Sequence, residues 1–318
     1  MSNRFFQAAA RAVLGLGVAV VGFSSCDTIE GPKRESEPVV VDDRLLINLD
    51  EPDTITLESG QKIVTTPAAS QTTVLLEDYT GIQCGFCPPA GIEAERLGQN
   101  DRVIPVALHA GSLASPDPNS PYFNVDLRTP ASQEYYQDFG LQNTPIGLIN
   151  RIEFPFNGQL FRAIGWNAWE QYVNDALNEP MRAQVHVLPL RDPATNAVEL
   201  RVNVKAIQEL PATAFLVLWA IEDSIVTGQK YYDNPATGSV DYFPAYAQRH
   251  VLRQAITAPY GARISDAGLS AGEQRAYRFE YTPNAGVQPS KLSFVGFVHE
   301  NNSRVIYQAT EAKAIDLE

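Results

Sequence analysis

An α/β domain followed by an antiparallel β domain is the fold class this sequence predicts, on three observations. Between residues 71 and 180, apolar runs of strand length alternate with segments of helical spacing. After Pro180 the helical spacing stops, and about seven strand-like runs follow, the pattern of an antiparallel β-sandwich over 181–318. A basic leader, an apolar run and an acidic stretch rich in Pro and Ser precede both.

The leader sets the compartment. Arg4 and Arg11 come first, and Ala12 to Phe23 is then 12 residues without a charge or strongly polar side chain. That length suits a signal-peptide core and is too short for a bilayer span, which needs about 20 residues. Small Ser24 and Ser25 lead into Cys26. This order resembles a bacterial lipobox, although Phe23 stands where an aliphatic residue is usual. The resemblance implies a signal peptide over 1–25 and a mature chain starting at Cys26, lipidated there with acyl chains such as palmitate. Ordinary secretion, with Cys26 a spare thiol, is the alternative. Either route exports the protein.

Cleavage after Ser25 removes two arginines and no acid, so the net charge moves from −13 to −15. A chain this acidic repels phosphate backbones, which argues against a nucleic-acid partner. Residues 26–70 read as a lipid-anchored tether, with a strand or two in the apolar patches of Val39 to Leu57.

In the α/β part, Val74 to Tyr79 is near-continuously apolar and ends at Thr80-Gly81, a strand. Pro88 and Pro89 are tolerated only in a first helical turn, so the helix running to Gly98 starts near Phe86. Both Cys84 and Cys87 therefore lie at its N-terminal end. Arg102 to His109 is a second strand, 110–130 a loop, and Ala131 to Phe139 a helix stopped by Gly140. Asn143 to Ile149 turns into a strand. Trp166 to Leu177 is a helix with Trp166, Trp169, Tyr172, Val173 and Leu177 on one face. The β part reads as strands at Ala183–Leu190, Val198–Ile207, Phe215–Ile221, His250–Ile256, Arg275–Tyr281, Lys291–Val298 and Val305–Glu311.

The chemistry concentrates at Cys84 and Cys87. A pair this close in sequence closes almost no loop, so stapling explains it poorly. A helix N-terminus stabilises a thiolate on the first sulfur, and the second can close a disulfide. Strand parity sets Asp78 with Val74 and Leu76 among apolar neighbours and turns Glu77 the other way, toward solvent. A zinc site needs four ligands, and no second Cys or His pair exists. His109, His186, His250 and His299 lie far apart, and His109 and His250 read as bracing a core or a domain interface. Asp233-Asn234 and Asp241 read as a solvated loop rather than a calcium site. No metal or cofactor is expected, and no G-x-S-x-G, Walker or dinucleotide motif is present.

The segment Leu75-Leu-Glu-Asp-Tyr-Thr-Gly-Ile-Gln-Cys-Gly-Phe-Cys87 resembles the strand-to-helix turn of thioredoxins. Asp78, six residues before Cys84, stands where thioredoxins place a buried proton-relay carboxylate, and Thr144-Pro145 is similar to their cis-proline turn. The resemblance implies a thioredoxin-like domain over 71–180. Cys84 would attack, Cys87 resolve and Asp78 shuttle the proton. Pro145, with Thr144, Gly85 and Phe86, would shape the substrate groove. Gln83 and Phe86 depart from the usual Trp and Pro.

Over its whole length the chain resembles the outer-membrane-protein-28-like lipoproteins of Gram-negative bacteria. The resemblance is carried by Glu77-Asp-Tyr-Thr-Gly81, Cys84 with Cys87-Pro88, Val106-Ala-Leu-His-Ala-Gly111, His250-Val-Leu-Arg253, Phe297-Val298 and Val305-Ile-Tyr-Gln-Ala309. It implies lipid anchoring at the outer membrane, facing the periplasm or the surface. Two functions are expected from these readings. One is thiol–disulfide exchange on envelope or extracellular proteins. The other is a non-enzymatic surface lipoprotein, an adhesin or binding module, whose cysteine pair is an inert disulfide. On the lipobox reading, Cys26→Ala moves the protein out of the membrane fraction. A variant that still sediments with membranes after a salt wash overturns lipidation as the anchor.

Overall fold

Strand β1 (Val74–Thr80) is buried along its whole length, because both faces of its sheet are covered. The computed structural model describes residues 40–234 and 239–318, so the expected signal peptide over 1–25 and Cys26 lie outside the described residues. After β1 come α1 (Cys87–Leu97), β2 (Val103–His109), α2 (Pro130–Asp138), β3 (Ile146–Ile149) and α3 (Trp169–Ala176). Nine further long strands follow: β4 (Ala183–Arg191), β5 (Val198–Ala206), β6 (Ala214–Glu222), β7 (Ile225–Asn234), β8 (Ser239–Gln248), β9 (Val251–Ala255), β10 (Gln274–Tyr281), β11 (Leu292–Glu300) and β12 (Ile306–Lys313). The described chain is mostly β-sheet with few helices, and none of its helices is long and apolar enough to cross a membrane.

Local chemistry sets the helix starts. Pro88 and Pro89 occupy the first turn of α1. At α2, Thr129 and Ser132 form a capping box, each side-chain oxygen accepting from the other's backbone N–H at 3.0 Å. The third helix is shorter than its spacing predicts. Trp166–Ala168 is a 3-10 turn that leaves Trp166 partly exposed, while Trp169, Tyr172, Val173 and Ala176 are buried.

One sheet runs through both sides of Pro180, in the order β12-β11-β6-β9-β2-β1-β3, with Ala163–Ile164 at the β3 edge and Ala262–Arg263 beside β6. Strand β1 is parallel to β2 and antiparallel to β3. The joint between β2 and β9 is narrow: Val251 pairs with Ala107, whose N–H donates to His250 O at 2.8 Å. A second sheet, Val40–Val41, β10, β5, β4 and Ile315–Asp316, packs on β6 and β11 through Val185, Val202, Leu216, Leu218 and Phe294.

The described part of the expected tether is ordered. Asp53–Thr56 and Lys62–Thr65 pair antiparallel, and Ile63 packs with Leu188 and Leu190 on the outer face of β4. An apolar outer face on β4 is what draws this segment down.

Glu77 is the clearest departure from the expectation of solvent exposure. Its carboxylate accepts two hydrogen bonds from Arg151, Nε and Nη2 each at 2.8 Å, and neither side chain has any exposure. The rings of Tyr135 and Phe297 lie 4.7 Å and 5.3 Å from the guanidinium carbon. Burial opposes the guanidinium charge, but the adjacent carboxylate outweighs it and raises the Arg151 pKa. Removing one member of such a pair strands the other, at a cost of about 3–5 kcal/mol. Glu77→Gln or Arg151→Met should lower the urea midpoint accordingly. The double variant Glu77→Leu with Arg151→Met should recover most of the loss. No recovery in the double variant would show that the loss does not come from stranding one charge of the pair.

Candidate functional site

The loop after β1 brings Cys84 to within three residues of the α1 start, and the two cysteines form a disulfide. Cys84 N–H donates to Gly81 O at 2.9 Å, and Cys87 N–H donates to Cys84 O at 3.2 Å. Exposure is 1% at Cys84 and 3% at Cys87.

Asp78 lies one pleat away from Glu77 and points to the α1 side. It is buried, and its Oδ1 has no hydrogen-bond partner in the protein. Burial alone pushes its carboxyl up to about 7. A cavity of about 250 Å³ opens beside it, lined among others by Asp78, Thr80, Cys87, Glu95, Tyr246 and His250. Asp78 and Cys87 therefore face the same space.

Thr144 and Pro145 immediately precede β3, and the peptide between them is cis. Ile146 pairs with Tyr79, so the two residues flank the end of β1 from which the cysteine loop leaves. The Thr144 hydroxyl is buried without a partner.

Gly85 and Phe86 are engaged by a segment with no expected role. Asp233, Asn234 and Asp241, expected in a solvated loop, lie on β7 and β8, which pair from Ile225↔Gln248 to Asn234↔Ser239. This hairpin sits on the cysteine loop. Lys230 N–H donates to Ile82 O at 2.9 Å, and Tyr232 N–H donates to Gly85 O at 3.0 Å. The buried Gln229 carboxamide donates to Gly81 O and Cys84 O at 3.2 Å and 3.0 Å, and accepts from Gln248 Nε2 at 3.0 Å. Phe86 stays 47% exposed but meets the Tyr232 ring edge-on at 4.6 Å. The strand signal was present in the aromatic and β-branched runs either side of Pro235-Ala-Thr-Gly238.

The four histidines stay apart. His250 carries the joint to β2, while neither ring nitrogen of buried His109 has a partner, and burial lowers its pKa to about 3. Among the described residues no His, Cys, Asp and Glu gather in a metal-binding group.

Residues 132–315 match the family described as outer membrane protein Omp28. No curated protein matches the chain. Among solved structures, HBP35 of Porphyromonas gingivalis is similar over 78% of this chain and 76% of its own, at 15% identity and a TM-score of 0.55. An Agrobacterium tumefaciens protein is similar over 77% of this chain and 95% of its own, at 13% identity and a TM-score of 0.46. A domain of the outer membrane lipoprotein Omp28 from Porphyromonas gingivalis covers 43% of this chain and 92% of its own, at 15% identity and a TM-score of 0.29. At such identities the HBP35 likeness speaks to fold alone.

The Asp78 carboxyl makes stability depend on pH. Its folded pKa, about 7, lies above the ordinary 3.8. Its contribution is therefore fully present below about pH 4 and is lost as pH rises through 7. The loss is at most about 4 kcal/mol. Asp78→Asn should remove this fall, leaving the variant more stable relative to wild type at pH 8 than at pH 4. Parallel curves of urea midpoint against pH for the two proteins would refute the raised pKa.

Proposed function

The chain belongs to the outer membrane protein Omp28 family, and from that premise we propose that it is an envelope protein exchanging disulfides with envelope or extracellular proteins through Cys84 and Cys87. On this reading 71–180 is a thioredoxin-like domain, 181–318 a β-sandwich, and Cys26 the lipid anchor at the outer membrane.

The observation that carries the reading is Asp78. A buried carboxyl without a partner destabilises the fold at neutral pH, and an inert disulfide needs none. Its position in one cavity with Cys87 suits a proton donor to a departing sulfur.

In the proposed reaction a client thiolate attacks Sγ of Cys84. The Cys84–Cys87 bond breaks, and Cys87 Sγ leaves with the bonding pair and takes the Asp78 proton across the cavity. A second client thiolate attacks the client sulfur of the mixed disulfide, and Cys84 leaves as a thiolate. The client dithiol becomes a disulfide, two electrons pass to the cysteine pair, and Asp78 regains its proton from solvent. The reverse sequence reduces a client disulfide with the same groups.

The coverage of the pair by the β7–β8 hairpin favours a second reading, an inert disulfide in a surface lipoprotein that binds its partner through the β part. Trapping separates the two. Cys87→Ser should accumulate mixed disulfides with envelope proteins, and Cys84→Ser should accumulate none. Asp78→Asn should slow exchange on the order of 100-fold. Traps empty in both the wild-type and a Tyr232→Ala background would leave only the binding reading.

A further inference from the structure

Strand β7 belongs to no larger sheet. It pairs with β8, and its other edge lies on the cysteine loop. Three alternate N–H groups on that edge donate outward: Gly228 to Tyr122 O at 3.1 Å, Lys230 to Ile82 O at 2.9 Å and Tyr232 to Gly85 O at 3.0 Å. Alternate donors are how a strand presents one edge to a neighbour.

The bonding runs one way. The carbonyls of Gly228 and Lys230 accept from the hairpin's own Thr227 hydroxyl and Gln229 carboxamide, each at 3.0 Å. A full ladder would exchange bonds in both directions, so this attachment is weaker per residue than a built-in strand. Side-chain contacts complete it: the Gln229 carboxamide donates to Gly81 O and Cys84 O, Tyr232 lies against Phe86 at 4.6 Å and Tyr242 against Tyr122 at 4.3 Å. The approach requires glycine at 85, where a Cβ would meet the Tyr232 ring at 2.7 Å.

The hairpin also has pivots. Ser224 and His250, at its two roots, are left-handed, with φ of 56° and 47°. Asp223 ties them together: Oδ2 accepts from the Ser224 hydroxyl at 2.7 Å and from Arg249 Nη1 at 3.1 Å, and Oδ1 accepts from His250 N–H at 3.3 Å. The roots are fixed while the distal part rests on loop carbonyls and rings.

We propose that the β7–β8 hairpin is a strap lying in the place of an extended client segment, and that it lifts from the 82–86 loop before any thiol reaches Cys84. The client's place rests on the exchange reading; the closure over the disulfide does not.

The test uses the full-length oxidised protein. Tyr232→Ala removes the ring from Phe86 and Gly85, and should speed reduction of the disulfide by dithiothreitol roughly three- to tenfold, while Tyr232→Phe keeps the wild-type rate. The Lys230 and Tyr232 amides should exchange hydrogen through an opening smaller than global unfolding. S-carboxymethylated α-lactalbumin, a permanently unfolded chain without thiols, should bind Tyr232→Ala more tightly than wild type by a similar factor. Equal reduction rates in wild type and Tyr232→Ala, or exchange of those amides only on global unfolding, overturns the closure. Failure of the unfolded chain to bind either protein overturns the client's place. Exchange itself is judged separately by the Cys87→Ser trap, so the two readings fail on different measurements.

Discussion

The buried ion pair between Glu77 and Arg151 holds the molecule together at its narrowest place. Glu77 comes from β1, Arg151 from the turn after β3, and the rings around the guanidinium from α2, β6 and β11. The sheet itself is joined between β2 and β9 by a single residue pair, too little to fix two halves by backbone bonding. The charge pair and its aromatic surround, together with the apolar cluster in which Tyr79 and Val106 meet Trp219, Leu252 and Phe297, supply what the ladder lacks. A guanidinium suits this position, because its flat face stacks on rings while its edge makes two hydrogen bonds to one carboxylate.

The same strand makes the site possible. Successive side chains on β1 point to opposite faces, so Glu77 and Asp78 are buried one residue apart in different surroundings. Glu77 meets a cation and two hydrogen-bond donors. Asp78 meets a cavity and no hydrogen-bond partner at Oδ1, and burial raises its carboxyl to about 7. Both are buried, and of the two only Glu77 has a cation beside it. The pair of acids therefore divides into a structural group and a group with a proton to give at neutral pH.

Much of this was legible in the sequence. All seven strand runs after Pro180 form strands, with ends within a residue or two of the apolar pattern. The two prolines place the start of α1, because a missing N–H is tolerated only there. Strand parity separates Asp78 from Glu77, yet it sends Glu77 to solvent. Alternation shows which residues share a face, not whether something distant covers that face, and Arg151 is 74 residues on. Strands at Val40–Val41 and Asp53–Thr56 fall in the apolar patches of 39–57, but the docking of Ile63 was hidden for the same reason, since its apolar partners lie on β4. The hairpin failed differently. Its strand-forming residues are plain in the sequence, but its docking uses backbone N–H groups and loop carbonyls, which every sequence carries alike.

The hairpin also changes what counts as the site. Tyr246 and His250 line the cavity beside Asp78, and Gln229 holds the carbonyls of Gly81 and Cys84, so residues beyond 220 complete a constellation that begins at 78. Cutting the chain near 180 would remove one wall of that cavity and open the Asp78 carboxyl to water, taking away the burial that raises its pKa. The same cut would strip Trp219 and Phe297 from around Arg151, leaving the ion pair partly solvated beneath an exposed apolar face. Activity measured on such a fragment would therefore report a different carboxyl and a different strand edge from those of the whole protein. The chemistry proposed for the cysteine pair is a property of the full chain, because the β part supplies both the cover of the disulfide and the dielectric around its acid.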